Sequence, residues 1–467
     1  MTTTAPPASV SENTRAPELR RELGLSDLVF TQILFIVGLP WVGVAAKVGP
    51  SHVVFWLIAI VLFYVPSAIV VIYLNGLMPL EGGLYQWARH GFNEFVGFMV
   101  AWNLWLFAIL NTSETGIQVT QYFSYVLGPR GASLAASGLM TGVVSAAIFA
   151  GLAALAIRGL NLGKWVHKTG GVLMIVTFAA LLLLPWLNLT TGTLPEFHPL
   201  ATAAPVMSLM SLNLLGKMGF GALGGFEYVA IHAGECHNPT RTIGRSVVIA
   251  APVIAVMFIL GTSSVLALVP FDQIDLIAPI PQVLSIGFQP LGWASAVAPV
   301  TILVLLIVRV AQASVLFTGN TRLPMVAGWD GLLPAWFTKL HPRYSTPVNS
   351  VLFVAAITFV FSLAGVIGVG RQEGFQLLWN ASAIFYALTY LVMFAIPIAG
   401  LRAARPPLWI RVAAGSGFLM TALYATLSIL PIVTVTSRMA FAIKITAVIV
   451  VTNAIGAMIY RKASRRG

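Results

Sequence analysis

Gly38-Leu39-Pro40-Trp41-Val42-Gly43 and, well downstream, Gly216 followed by Gly219-Phe220-Gly221-Ala222-Leu223-Gly224-Gly225 interrupt two long apolar runs. Each run is long enough to cross a bilayer as a helix, which takes about 20 apolar residues. Pro40 lacks an N–H and clashes with the preceding turn, and the glycines lower helix propensity further. Open backbone at membrane depth is tolerated only where it lines a cavity or is buried in protein. Glycines that merely let helices pack closely are the plainer reading of one such break. Two breaks, five spans apart, favour a pair of inverted five-helix repeats, with a solute site at midplane between the broken helices. N–H groups at a half-helix start suit a carboxylate.

The rest of the chain fits this frame. Of its 467 residues 58% are hydrophobic and 9% charged, against about 25% charged in a soluble domain, so the solvent for most of it is lipid. Apolar runs predict an all-α, polytopic membrane protein of about twelve spans, near 27–47, 53–76, 95–127, 134–157, 167–188, 206–235, 245–269, 290–320, 347–368, 376–401, 409–434 and 438–460. The expected organisation is a cytosolic tail over 1–26, a first repeat over 27–188, a second over 206–401, two further helices over 409–460 and a basic tail over 461–467. Met1–Glu22, polar and carrying Pro6, Pro7 and Pro17, reads as disordered rather than as a cleaved leader.

Charge placement tests the count. With both termini cytosolic, 19 of the 26 basic residues fall on inner connections or tails, and five outside: Lys47, Arg130, Arg371, Arg438 and Lys444. Lys217 and Arg309 fall inside spans. The net charge of +12 is therefore a topology signal, not a nucleic-acid footprint. It places a multi-pass protein in the cytoplasmic (inner) membrane with cytosolic ends. A lone cysteine, Cys236, excludes an intrachain disulfide. No Walker-type loop supports ATP-driven transport. The buried polar residues are scattered singly, unlike an enzyme's cluster, and no polar stripe suggests a channel. No cofactor or metal is expected.

Three loop stretches carry a family resemblance. They are Pro79-Leu80-Glu81-Gly82-Gly83-Leu84-Tyr85-Gln86-Trp87, Glu235-Cys236-His237-Asn238-Pro239-Thr240-Arg241, and Trp329-Asp330-Gly331-Leu332-Leu333-Pro334 followed by His341-Pro342-Arg343-Tyr344-Ser345-Thr346-Pro347. As a set at these intervals the chain resembles the amino acid–polyamine–organocation (APC) superfamily of permeases. The resemblance implies a LeuT-type 5+5 inverted repeat with two further C-terminal helices. It implies that the stretch Ile36, Gly38, Leu39, Trp41, Val42 and Gly43 binds the substrate's amino and carboxylate groups through backbone. Phe220, Gly221, Leu223 and Phe226 would supply the opposite wall, and Thr112 and Thr115 would line the site. Glu227 matches a glutamate that the family links to coupling between binding and gating. The chain departs from the family in having no hydroxyl residue in its first break. It also lacks an amine deep in the fifth span, where only Lys168, near the inner end, and Thr177 occur.

Ionisable groups at membrane depth are functional candidates by default, because each costs about 2.5–3.5 kcal/mol to insert. Glu114, in Asn111-Thr112-Ser113-Glu114-Thr115, is either a site residue or an interhelical clip. Glu227 is a coupling group or a cap for freed backbone. Depth favours pairing for Arg309, with Glu114 a possible partner in an outer gate, and snorkelling to the headgroups for Lys217. His232 reads as a packed core histidine. Trp41 and Phe220 sit where aromatics could close over substrate. The function expected is secondary active transport of an amino acid or related amine by alternating access, with H+ symport, Na+ symport and exchange all open. Membrane lipid and the small solute are the expected partners. A polyamine or cationic amino acid exchanger is the alternative, with Glu114 opposing the cationic group.

Overall fold

The computed structural model describes residues 23–465 apart from 81, 237, 293–295, 330–332, 365–369 and 402–404. Glu81, His237, Asp330, Gly331 and Leu332 of the loop motifs lie outside the described residues, as do Arg15, Arg20, Arg21, Arg402 and Arg466 and the side chain of His232.

Pro40 and its glycines break the first span as their chemistry requires. Helix α1 (Leu25–Ile36) stops, Val37 and Gly38 are non-helical, and α2 (Leu39–Ala46) restarts at an angle of 45°. There follow α3 (His52–Ala59) and α4 (Val65–Leu77), joined by a π turn over Ile60–Tyr64, then α5 (Leu84–Gly91), α6 (Glu94–Ser113), α7 (Thr115–Leu127), α8 (Pro129–Ala136), α9 (Gly138–Arg158) and α10 (Leu160–Thr190). The second broken span is α11 (Leu209–Gly216), a π segment Lys217–Ala222, non-helical Gly224 and Gly225, and a 3-10 segment Phe226–Glu235. Gly225 has φ +141, and a Cβ there would stand 2.7 Å from Ile36 and Phe35 side chains, so only glycine lets the two breaks approach. The chain continues through α12 (Pro239–Leu268), α13 (Pro279–Phe288), α14 (Val297–Trp329), α15 (Val348–Ala364), α16 (Arg371–Ala395), α17 (Leu408–Leu427) and α18 (Arg438–Ser464).

The protein is a polytopic helical membrane protein. Among the described residues nine helices are long and apolar enough to cross a bilayer, and the bent α1–α2 pair makes a tenth span. The other two expected spans correspond to the broken α11-to-Glu235 stretch and to α15, which has 17 residues. Helix α14 runs nine residues past the expected end at 320, because Asn320, Thr321 and Arg322 are buried rather than solvated. Helix α1 packs on α10 and α12, α6 on α16, α10 on α14, and α9 on α15. Helix α17 covers α4, α11 and α16, while α18 lies outermost on α6 and α16.

Candidate functional site

The breaks leave backbone groups that something must satisfy. In an unbroken helix Gly38 N–H would reach Leu34 O, and Trp41 N–H would reach Val37 O. Instead Gly38 donates to Ile36 O at 2.7 Å and Trp41 to Gly38 O at 3.1 Å. Leu34 O and Val37 O are claimed by a side chain from another helix: Gln312 Nε2 of α14 donates to them at 2.9 and 2.8 Å. At the second break Gly225 N–H donates to the Tyr390 hydroxyl at 2.7 Å. Tyr390 and Tyr386, one turn apart on α16, both donate to the Glu227 carboxylate, one to each oxygen. Glu227 is fully buried.

Between the breaks lies a cavity of about 70 Å³. Ile36, Gly38, Leu39, Pro40 and Trp41 form one wall, and Phe220, Gly221 and Gly224 the facing one. The Trp41 indole lies flush on Gly221, where a Cβ would come within 2.6 Å of it. Trp41 and Trp379 meet edge to face at 5.1 Å on one side, and Phe35 stacks on Tyr228 at 4.1 Å on the other. Helices α6, α7 and α14 add a polar flank of Asn111, Gln118, Arg309 and Gln312. Both amide atoms of the buried Gln118 lack a protein partner. Opposite stand Phe107 and Tyr386, stacked at 4.1 Å.

Arg309 does not face the cavity as a bare cation. Its Nη2 donates to Glu114 Oε1 at 2.5 Å and Thr115 Oγ1 at 3.1 Å, and both ends of the ion pair are buried. The pairing expected for Arg309 is therefore present. A second buried pair, Arg322 with Glu235 at 2.8 Å, ties the end of α14 to the 3-10 segment, and Leu23 N–H also donates to Glu235 O at 3.0 Å.

Of the residues expected at the site, the cavity brings together Ile36, Gly38, Leu39, Trp41, Phe220, Gly221 and Arg309. Thr115, Glu114 and Glu227 stand directly behind that lining through Arg309 and Tyr386. Val42, Gly43, Thr112, Leu223 and Phe226 are buried elsewhere. Gly43 packs on the Pro279 ring of α13, with a Cβ position 2.8 Å away, and Phe226 stacks on Tyr64 at 4.7 Å. Lys217 does not snorkel. It is 1% exposed, its Nζ donates to Asn380 Oδ1 at 3.1 Å, and it lies 5.6 Å from the centre of the Tyr424 ring. Snorkelling presumed a lipid-facing helix, but α17 covers this face so closely that Gly216 abuts the Tyr424 backbone. Glu114, the acid expected to oppose a cationic substrate, is not in the cavity lining, and one of its oxygens accepts from Arg309, which is. Gln118, Gln312, Tyr386 and Tyr390 went unread in the sequence. Their signal was there: Glu114/Gln118, Arg309/Gln312 and Tyr386/Tyr390 are helix neighbours at three- and four-residue spacing in apolar spans.

Comparison with known proteins agrees with this architecture. A family model described as amino acid permease matches residues 23–460. An uncharacterized transporter of Legionella pneumophila is 25% identical over 397 residues, covering 83% of this chain and 82% of its own. A protein described as a probable agmatine/putrescine antiporter of Lactococcus lactis is 21% identical, with 78% of each chain covered. A branched-chain amino acid permease of Bacillus subtilis is 23% identical, covering 77% of this chain and 80% of its own. With two broken helices facing each other across a buried cavity, and a family match over nearly its whole length, the chain belongs to the amino acid permeases of the APC superfamily.

Proposed function

We propose that the protein is a secondary transporter of amino acids with uncharged side chains, working by alternating access in the cytoplasmic membrane. The observation that carries this reading is the buried Arg309–Glu114 pair beside the cavity. Among the described residues Arg309 is the one charged side chain in the lining, and its counter-charge is already supplied. A zwitterion with a neutral side chain loses nothing there. A polyamine would bring positive charges that the lining meets with no free carboxylate, Glu114 being engaged by Arg309, and a buried charge without a partner is costly. The relatives include both a branched-chain amino acid permease and an amine antiporter, so family alone does not choose. The lining chemistry favours the first.

The substrate's carboxylate would lie at the first turn of α2, where the Leu39 N–H has no earlier carbonyl within the helix and Pro40 has no N–H at all. Its side chain would extend toward Gln118 and the aromatic face of Phe107 and Tyr386. The chain divides into repeats over 27–188 and 206–401, followed by 409–460, and both termini are cytosolic. The exchange of partners between α6–α16 and α10–α14 supports that division, since the two contacts interconvert when the first five spans are swapped with the second five. Glu227 serves as the coupling group at the second break.

The test is a thermal-shift screen across amino acids and polyamines, followed by labelled uptake into proteoliposomes. Ligand binding raises apparent stability with occupancy. Neutral amino acids are expected to stabilise the protein and to be taken up. Stabilisation by putrescine or agmatine alone would overturn the assignment.

A further inference from the structure

In transporters built on broken helices, the carbonyls freed at a half-helix end are where a coupling cation such as Na+ is held. Here the end of α1 offers Leu34 O and Val37 O, orphaned because Gly38 and Trp41 turn their N–H groups to other acceptors. Both carbonyls are occupied by one carboxamide. Gln312 Nε2 has two N–H bonds and spends one on each, at 2.9 and 2.8 Å, from a side chain 6% exposed. The orientation of the amide is not ambiguous, because two carbonyl oxygens can be met only by the NH2 end.

Resting on the transport reading above, we infer that the Gln312 carboxamide permanently fills the cation position at the α1 hinge, so that this protein binds and moves its substrate without Na+. The amide does what a cation would do electrostatically: it presents positive hydrogen to two carbonyl dipoles and holds α1 to α14. It differs in being tethered, so it cannot leave and carries no dependence on an ion gradient. Gln312 also lines the cavity beside Arg309, so the same residue joins the substrate site to the half-helix that must move. It is a positioning residue. It acts on substrate through the geometry of Val37 and Gly38.

The prediction separates a cation substitute from a mere strut. Gln312→Glu keeps the side-chain length but replaces the donor by oxygen. Three oxygens then face one another and need a cation or a proton between them. The melting temperature of the wild-type protein in detergent should be the same in NaCl and in choline chloride, whereas that of Gln312→Glu should rise with Na+ or with acid. In proteoliposomes, wild-type uptake should be unchanged when Na+ is replaced by choline. Na+ stabilisation of the wild type, or Na+-driven uptake by it, overturns the inference. So does a folded Gln312→Glu whose melting temperature responds to neither Na+ nor pH. Should that variant not fold, the wild-type melts decide alone. Because melting needs no substrate, a wild type that transports no amino acid refutes the transport reading while leaving this test standing.

Discussion

Arg309 on α14 donates to Glu114, at the junction of α6 and α7, across 2.5 Å, with 5% and 0% of the two side chains exposed. Removing one member of a buried pair leaves an uncompensated charge and costs about 3–5 kcal/mol, whereas removing both is far milder. Glu114→Gln and Arg309→Gln should each lower the melting temperature markedly, and the double variant should recover much of the loss. Selectivity should move with the charge left behind. Glu114→Gln should admit acidic amino acids, and Arg309→Gln should admit cationic ones, in a competition assay against neutral substrate. Unchanged selectivity in both would place the pair outside substrate recognition.

Two glycines, Gly43 within α2 and Gly221 in the π segment that faces it, distinguish scaffold from cavity. At Gly221 an added Cβ meets the Trp41 indole at 2.6 Å, a wall of the cavity. At Gly43 it meets the Pro279 ring at 2.8 Å and Ile274 at 3.2 Å, which are parts of α13 and its approach. Gly221→Ala should therefore weaken substrate binding with little change in melting temperature. Gly43→Val should lower the melting temperature, since overpacking of this kind costs about 1–3 kcal/mol. Thermal melts alongside ligand titration check both. The reverse pattern would move the substrate to the α13 side.

Lys217 is a buried cation whose hydrogen-bond acceptor is the neutral Asn380. A buried ammonium whose partners are a neutral amide and an aromatic face is costly to desolvate, so a well-packed apolar replacement of the pair is expected to be neutral or stabilising. Lys217→Met combined with Asn380→Leu should melt at or above the parent temperature and keep transport. Loss of transport with raised stability would assign Lys217 a functional charge that its contacts do not require.

The two breaks, the span pattern and the pairing of Arg309 were legible in sequence because each rests on one residue's own chemistry: Pro40 has no N–H, and a guanidinium at depth needs a counter-ion. What failed depended on a second element covering the first. Lys217 reads as snorkelling until α17 is placed over it, and Gly43 reads as substrate-facing until α13 is. The caps Gln312 and Tyr390 were visible as polar residues at helical spacing, but nothing in the chain says which distant carbonyl or N–H they will meet.

Topology is tested by cysteine scanning on a Cys236→Ser background, the native thiol being buried. Probes at Thr191 and Gly370 should react with an impermeant maleimide from outside intact cells, and probes at Tyr344 and Ser464 only after permeabilisation. External labelling at Tyr344 would invert the orientation.

The last prediction concerns Glu227. Tyr386 and Tyr390 donate to its two oxygens, and Tyr390 accepts from Gly225 N–H at the break itself. Two hydroxyl donors suit an ionised carboxylate, which only accepts; a protonated one must donate from one oxygen, so one tyrosine would have to turn. If that tyrosine is Tyr390, its contact with Gly225 is disturbed, and proton occupancy biases the hinge between its conformers. Glu227→Gln carries a permanent donor in that place. It should preserve substrate binding and one-for-one exchange while flattening the pH dependence of net uptake. Tyr390→Phe should share the flattened profile, because it cuts the link between carboxyl and hinge while leaving Glu227 its Tyr386 partner. Glu227→Ala should abolish transport, since two buried hydroxyls and the break lose their common partner. The measurement is uptake into proteoliposomes across an external pH series. A parental pH profile in both Glu227→Gln and Tyr390→Phe would reduce Glu227 to a cap on the broken helix and make the Glu114–Arg309 pair the remaining candidate for proton sensing.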